Sequence, residues 1–525
     1  MSKDIKAAPY VPPPPLTGSA LVLGTIALSL ATFMNVLDSS IANVSLPAIA
    51  GDLGVSPVQG TWVITSFGVA NAISVPLTGW LTQRFGAVRL FMGSILLFVL
   101  SSWLCGFAHS LETLVLFRVL QGLVAGPMIP LSQTLLLASY PKEKAGMALA
   151  LWAMTTLVAP VVGPLLGGWI TDNISWPWIF YINVPVGLIA AFFTWSIYRK
   201  RDTPVKKLPI DSVGLALLVL WVGSMQLMLD KGKELDWFAS GTIQLLAALA
   251  VVGFLFFVIW ELTDKHPVVD LRLFGGRNFF FGAISLSIAY GLFFGNVVLL
   301  PLWLQQWMGY TATDAGLALA PVGVLAIILS PIAGKNVSKW DPRVMASFAF
   351  VMFAIVLWMR SNFTTGTDLV SIMIPTVLQG GAMAFFFIPL TTLTLSGIEP
   401  HRIPAAAGLS NFVRITAGAM GTSISTTIWE NRAALHHAHL TETLSLGNPI
   451  LNETSSMLTS GGFSADQALA QINRLTDQQA FTRAADDIFY GSAAMFLLLI
   501  VMIWFTRRPP RMAGGAAPAD AGGAH

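Results

Sequence analysis

At 525 residues the chain is long enough for several soluble domains, yet 55% of it is hydrophobic, only 10% is charged, and its mean hydropathy is +0.71. Soluble domains carry about 25% charged residues, so polar side chains here are too few to cover their surfaces, and lipid is the solvent around most of the chain. The net charge of +3 implies nothing about nucleic acid, and the single cysteine, Cys105, excludes an internal disulfide.

A membrane-crossing helix needs about 20 mostly apolar residues. Fourteen stretches qualify, near 20–46, 58–81, 89–107, 112–137, 146–170, 178–198, 212–230, 241–261, 279–304, 312–334, 344–360, 369–397, 405–428 and 488–506. The fourth and twelfth share a string: Val119-Leu120-Gln121-Gly122 returns as Val377-Leu378-Gln379-Gly380, and Ile129-Pro130-Leu131 as Ile388-Pro389-Leu390. Pro76 to Gly79 in the second likewise finds Pro331 to Gly334 in the tenth. The chain therefore contains its own half-copy, and the expected fold is an all-α integral membrane protein of two six-helix bundles with an inserted helix pair. In residues this gives an N-terminal tail (1–16), a first bundle (17–198), a basic linker with inserted helices 7 and 8 (199–261), a second bundle (262–506) and a disordered tail (507–525). Related halves of this kind mark secondary transporters, whose substrate site lies between the repeats near the bilayer midplane.

Most of the 29 Lys and Arg fall in connections on the side of the two termini, while the opposite connections hold Lys231, Lys233, Arg360, Arg432, Arg474 and Arg483. Basic residues are retained in the cytoplasm, so both termini are expected there. The stretch Tyr10 to Leu16 reads as a short extended tail with no signal peptide before it. One outer connection is long: 429–487 is polar, shows helix-like spacing of Ala468, Ile472 and Leu475, and is expected to form a helical arm on the outer face. Its histidines, His436, His437 and His439, lack acidic or cysteine partners at ligand spacing and read more readily as a wetted helix face than as a metal or pH-sensing cluster.

Ionisable groups inside spans cost about 2.5–3.5 kcal/mol each at a helix centre, which points to Asp38, Arg118 and Arg414. Asp38 has Asn35 a turn before it and Ala42 and Ser45 beyond, Arg118 has Gln121 at i+3, and Arg414 has Asn411 at i−3. Helix rise sets Asp38 about 12 Å and Arg118 about 9 Å below the outer boundary, compatible depths, with Arg414 about 14 Å in from the other face. Each charge has two readings, as a lock between helices or as working chemistry. Burial favours a protonated carboxyl and a nearby guanidinium a charged one, so the chemistry expected is proton coupling by Asp38, with Arg118 as its partner and Arg414 as a further contributor.

These residues lie in recognisable motifs. LDSSIANVSLP (37–47), RVLQGLVAG (118–126) and APVVGPLLGGWI (159–170) resemble the first-, fourth- and fifth-helix signatures of the fourteen-span drug:proton antiporters in the major facilitator superfamily, and WIFYINVPVG (178–187) also looks like this subfamily. The resemblance runs the whole chain. It implies the major facilitator fold with 14 transmembrane helices and proton-driven efflux of drugs from the bacterial inner membrane. It also implies two partners, a periplasmic adaptor protein and, through it, an outer-membrane channel. One departure stands out: in GWLTQRFGAVRL (79–90), Gly79, Arg84, Gly86 and Arg89 match the superfamily loop, but Gln83 replaces its aspartate. In the fifth helix, Gly163, Gly167 and Gly168 allow close backbone approach while Pro160 and Pro164 bend the helix, the makings of a seam on which bundles rock. Gly418 and Gly421 offer a weaker version in the second half.

One buried acid against two arginines suits neutral or weakly acidic lipophilic compounds better than permanent cations. Candidate contacts are Phe33, Asn35, Phe67, Asn71, Gln121, Trp152, Tyr290, Phe294, Asn296, Gln379, Phe386 and Asn411, each of a type that also serves as core or lipid-facing surface. Without a G-x-x-x-x-G-K-[ST] phosphate loop the energy source is expected to be the proton gradient, with no cofactor, no metal and no enzymatic reaction. An uptake symporter and a non-transporting scaffold or sensor are the competing classes. The antiporter-like fifth helix weighs against the first and the buried charges against the second.

Overall fold

The computed structural model describes residues 13–206, 209–337, 339–442, 444 and 448–508. Residues 1–12 and 509–525 of the expected tails lie outside these, as do the side chains of Pro160 and Pro164.

Among the described residues the chain is helical and contains no strand. Helices occupy all fourteen expected places: α1 (Gly18–Asp52), α2 (Trp62–Phe85), α3 (Ala87–Gly106), α4 (Leu111–Ser139), α5 (Ala145–Asn173), α6 (Trp178–Tyr198), α7 (Ser212–Lys231), α8 (Gly241–Thr263), α9 (Arg277–Gln306), α10 (Asp314–Asn336), α11 (Pro342–Arg360), α12 (Leu369–Leu395), α13 (Ile403–Glu442) and α14 (Ala465–Trp504). Twelve are long and apolar enough to cross a membrane. The other two are α5, several of whose side chains are undescribed, and α13, which carries Ser410, Asn411 and Arg414 in its buried first third.

The repeat seen in sequence recurs as packing. In the first half α1 pairs with α5, α2 with α4, and α3 with α4 and α6; in the second, α9 pairs with α13, α10 with α12, and α11 with α12 and α14. The inserted helices α7 and α8 pair with each other, and α7 leans on α2. Lipid provides no hydrophobic force between helices, so association rests on close backbone approach at small residues. At the α9–α13 crossing a Cβ on Gly421 would overlap the backbone of Gly291.

The halves meet mainly at the end that carries the termini. A Cβ on Gly79 (α2) would lie 2.6 Å from the Ala405 Cβ of α13, Gly408 abuts Thr78, and Gly146 (α5) and Gly334 (α10) cross with each backbone where the other's Cβ would be. Four helices are thus sealed across the interface by glycine contacts, with no room for side chains. At the opposite end α13 and α14 run on as 40-residue helices and, with a short helix Pro449–Ser460, form the expected arm.

The arm is tied together by polar contacts. Arg432 reaches Asp487 at 2.6 Å, Trp429 Nε1 donates to the Phe481 carbonyl at 2.9 Å, and Phe481 stacks on Trp307 at 4.1 Å. Its histidines do not cluster. His436 lies 2.7 Å from Asp487 and His437 2.7 Å from Asp477, and no group of three metal-ligating side chains exists among the described residues.

Candidate functional site

Asp38, Arg118 and Gln121 come together inside the first half. Asp38 is 1% exposed and Arg118 0%. Arg118 Nη1 lies 2.5 Å from Asp38 Oδ2 and donates to Gln121 Oε1 at 2.6 Å, while its Nε donates to the Val63 carbonyl at 3.0 Å. The other carboxylate oxygen accepts from Gln121 Nε2 at 3.0 Å and from Asn183 Nδ2 at 2.8 Å. Ser102 Oγ accepts from both amides, and the guanidinium stands 4.2 Å above the Phe67 ring and 5.5 Å from that of Phe180.

Five helices, α1, α2, α3, α4 and α6, therefore converge on one carboxylate whose negative charge is matched by one guanidinium and two amides. A buried pair is tolerated only when its remaining donors and acceptors are satisfied, and breaking one costs about 3–5 kcal/mol. The partners of the Asp38–Arg118 pair are supplied by several helices at once. Asn183, Ser102 and Val63 were not anticipated; Asn183 lies inside WIFYINVPVG and was the one with a signal.

The glycine seam of α5 packs beside this network. Cβ atoms on Gly163 and Gly167 would meet Ser40 and Ile41 of α1 at 2.6 and 2.7 Å, whereas Gly168 has Val44 only at 4.0 Å. The seam thus lies within the first half, against the turn that follows Asp38, and the glycine crossings between the halves are those of Gly79, Gly146, Gly334 and Gly408.

Arg414 stands apart from Asp38. Buried in the first third of α13, it donates to Asn411 Oδ1 at 2.5 Å and faces Tyr290 at 4.8 Å and Trp152 and Phe387 at 5.5 Å each, with its Nε unpartnered. Phe294 packs on Tyr290 with ring centroids 4.5 Å apart and planes tilted by 37°. Asn411 Nδ2 crosses between the halves to Gln133 Oε1 at 3.1 Å, a partner the sequence did not single out. Gln133, Trp152, Asn411 and Arg414 line a cavity of about 10 Å³, room for at most about one water. The guanidinium is thus caged by aromatic faces, with no carboxylate on it among the described residues.

The remaining expected contacts divide. Asn35 braces α1 to α4 by donating to the Ala125 carbonyl at 3.1 Å, and Phe386 is fully buried core against Phe353 and Phe387. Asn71 and Asn296 each keep a buried amide oxygen without a partner, Asn296 donating to Ser492 Oγ at 3.1 Å. Phe33 is half-buried.

Gln379, the repeat counterpart of Gln121, accepts from a different arginine. Arg360 Nη2 donates to Gln379 Oε1 at 2.7 Å and to Thr376 Oγ1 at 3.0 Å, and Arg360 is 0% exposed. Its position at the end of a span led it to be counted with the outer connections; it is instead a buried cation whose Nε and Nη1 have no partner. A second buried acid also escaped notice: Glu261, at the end of α8, is 0% exposed and accepts from the Val269 amide at 3.1 Å.

In the last turn of α2, Gln83 is exposed, and a carboxylate arrives from elsewhere. Asp202, beyond α6, accepts from the Val88 amide at 2.8 Å and lies 3.5 Å from Arg89 Nε, at the first turn of α3. Gly86 is required there, with φ of +89° and Asp202 Oδ1 2.6 Å from where its Cβ would be. Arg84 lies over the Trp80 ring at 5.6 Å.

Comparison with known proteins places this architecture. The Major Facilitator Superfamily model matches residues 28–422. The chain is 53% identical over 97% of its length to the multidrug export protein EmrB of Escherichia coli strain K12, covering 99% of that protein. It is 54% identical over 91% of its length to the EmrB of Haemophilus influenzae, covering 94% of it, and 49% identical over 92% to the fatty acid resistance protein FarB of Neisseria gonorrhoeae, covering 95%. Among solved structures, the human organic anion transporter MFSD10 superposes with a TM-score of 0.59 at 13% identity, covering 93% of this chain and 100% of that one. The proton:xylose symporter XylE does so at 0.55 and 15%, covering 93% and 95%. At such identities these two speak for the fold alone. With the superfamily matched across most of the chain and half of all residues shared with whole-length exporters, the chain belongs to the major facilitator superfamily, as an EmrB-like multidrug exporter.

Proposed function

We propose that this exporter is a drug:proton antiporter in which Asp38 carries the proton and Arg118 stabilises the charged carboxylate. The observation that carries the reading is the network of five helices around the fully buried Asp38, held directly by Arg118, Gln121 and Asn183 and through them by Val63 and Ser102. Moving α1 against the other four changes the separation and hydration of the pair, and with them the proton occupancy of the carboxyl. The Gly163 and Gly167 seam, set against the turn after Asp38, ties α5 to that motion. Alternating access then exchanges the glycine seal at the terminal end for closure at the arm end.

The substrate class is lipophilic and neutral or weakly acidic. Arg414, expected among the proton-coupling groups, is surrounded as an anion-recognising cation, with Trp152 and Tyr290 supplying apolar faces for the rest of the drug. A relative named for resistance to fatty acids, which are lipophilic weak acids, supports this choice. Both termini are assigned to the cytoplasm of a bacterium, and the arm to the periplasm. There the arm, with seven acidic against three basic residues over 429–487, would meet an adaptor protein and, beyond it, an outer-membrane channel.

Everted vesicles with an imposed proton gradient test the coupling. Drug-triggered proton release is expected from the wild type and none from Asp38→Asn at equal expression. Proton movement in the same direction as drug points to symport, silence across a broad drug panel points to a scaffold, and exchange that survives Asp38→Asn removes the assignment. For the partner, shortening the arm between α13 and α14 is expected to abolish co-purification with the adaptor while vesicle exchange continues; unchanged co-purification removes the docking site.

A further inference from the structure

At the terminal end of the second half lies a cavity of about 370 Å³. Its wall comprises the connection entering α9 (272–279), the turn between α12 and α13 (396–399), and Arg402 and Arg507. Four guanidinium groups face it, those of Arg272, Arg277, Arg402 and Arg507, against one carboxylate, Glu399, which is 69% exposed and lies 3.5 Å from His401.

The four cations are not equally neutralised. Arg402 is paired with Asp270 at 2.5 Å. Arg272 and Arg277 instead donate to main-chain carbonyls, of Asp264 at 3.1 Å and Phe505 at 2.6 Å, bonds that position a guanidinium and leave its charge intact. The Arg507 side chain has no hydrogen bond or ion pair among the described residues. Asn278, bonded to Ser396 Oγ at 2.7 Å, adds a polar floor. Three uncompensated guanidiniums around one space suit a phosphate, which accepts several forked hydrogen bonds at once.

The lip of the cavity decides what carries the phosphate. Leu273, Phe279 and Ile398 line its apolar side. Next to them Phe274 packs on Phe279 and Phe280, and Phe281 stacks on Phe505 at 5.3 Å, with Phe280 41% and Phe505 49% exposed. These residues sit where α9 begins and α14 ends, beside the half-exposed Trp504, an amphipathic ring of the kind found at headgroup level. A soluble phosphate has no use for an aromatic lip; a phospholipid lays its chains along it.

We propose that this cavity is a binding site for the headgroup phosphate of an anionic phospholipid. Basic pockets between helices at this level are where such headgroups bind. The ligand would bridge the connection leaving the inserted pair, α9, the α12–α13 turn and the end of α14. It would do so three residues from Ala405, the α13 side of the glycine seal.

Native mass spectrometry and melting of the full-length protein, in nanodiscs of phosphatidylcholine alone or with phosphatidylglycerol, test this. The wild type is expected to retain phosphatidylglycerol above its bulk share and to melt higher in its presence. Arg507→Gln, which removes no hydrogen bond within the protein, is expected to weaken retention about fivefold, and the triple variant Arg272→Gln, Arg277→Gln, Arg507→Gln about a hundredfold. The corresponding triple Lys variant, which keeps the charges, is expected to restore most of it and controls for folding. Undiminished retention in Arg507→Gln and in the triple Gln variant overturns the site. Inorganic phosphate that raises the melting point in detergent as much as phosphatidylglycerol does overturns the lipid assignment in favour of a free-phosphate site.

Discussion

The two halves solve the same polar problem differently. Gln121 and Gln379 are repeat counterparts on α4 and α12, and each accepts a hydrogen bond from a fully buried arginine. In the first half that arginine, Arg118, is neutralised by Asp38 and its surroundings complete the network. In the second it comes from α11, as Arg360, Thr376 takes the place of Arg118, and two guanidinium nitrogens are left without partners. Among the described residues, a buried carboxylate balances the arginine on one side of the repeat and none does on the other. The duplicated architecture supplies two similar scaffolds, and the chemistry has been concentrated in one.

The largest effect that would break this comparison is on coupling. Asp38→Asn is expected to abolish drug-driven proton release, whereas Glu261→Gln, at the end of the inserted pair, is expected to leave it within about twofold of wild type; the reverse outcome would move the proton site to α8. Everted-vesicle fluorescence reads both.

Stability sharpens the contrast next. Arg118→Met leaves Asp38 buried and uncompensated and is expected to destabilise by about 3–5 kcal/mol. Arg360→Met removes two unsatisfied nitrogens and the charge but also the bonds to Gln379 and Thr376, and is expected to cost less, about 1–2 kcal/mol. Thermal melting in detergent decides; equal losses would mean that Arg360 has an anionic partner of its own.

A third comparison concerns glycine. Gly334→Ala places a methyl on the Gly146 backbone at the seal between halves, and Gly163→Ala places one on Ser40 inside the first half. The former is expected to hold the terminal end open, raising thiol labelling of a cysteine placed there and cutting transport about tenfold or more; the latter is expected to lower stability without that labelling change.

The smallest effects lie at the two loops following α2 and α10. Asp202→Asn removes an acidic group from the first turn of α3 and is expected to cost about 0.5–1 kcal/mol. At the equivalent place in the second half, hydrogen bonds from Arg343 hold the Asp341 carboxyl below its ordinary value. A depressed acid stabilises the fold above its unfolded value near 3.8 and loses that contribution as pH falls through its lower folded value. Asp341→Asn is therefore expected to lower stability at neutral pH, where the carboxylate contributes, and to flatten acid destabilisation below about pH 4.

Much of this was readable from sequence. Apolar length located every helix, and helix rise put Asp38 and Arg118 at matching depths, because both signals are carried along one chain. What crosses between helices was harder to see. Asn183, Ser102 and Gln133 are ordinary polar residues until a neighbour meets them, and spacing along a helix gives a face but no partner. Arg360 was misplaced because a cation at the end of a span has water within reach of an extended side chain, and only packing reveals that it folds inward. Phe386 and Asn35 lie at helical spacing like cavity walls, yet one fills core and the other braces two helices.

Asp202 has one more consequence. The loop after α2 obtains its carboxylate from the strap joining α6 to the inserted pair, and the same strap returns at Lys206, whose amide donates to the Gln83 carbonyl at 2.8 Å. An acid within the loop would move with the loop; an acid on the strap registers where the strap is. The strap that leads to the inserted helices is thereby fastened to the joint between α2 and α3, so that a change in strap length would be felt at that joint.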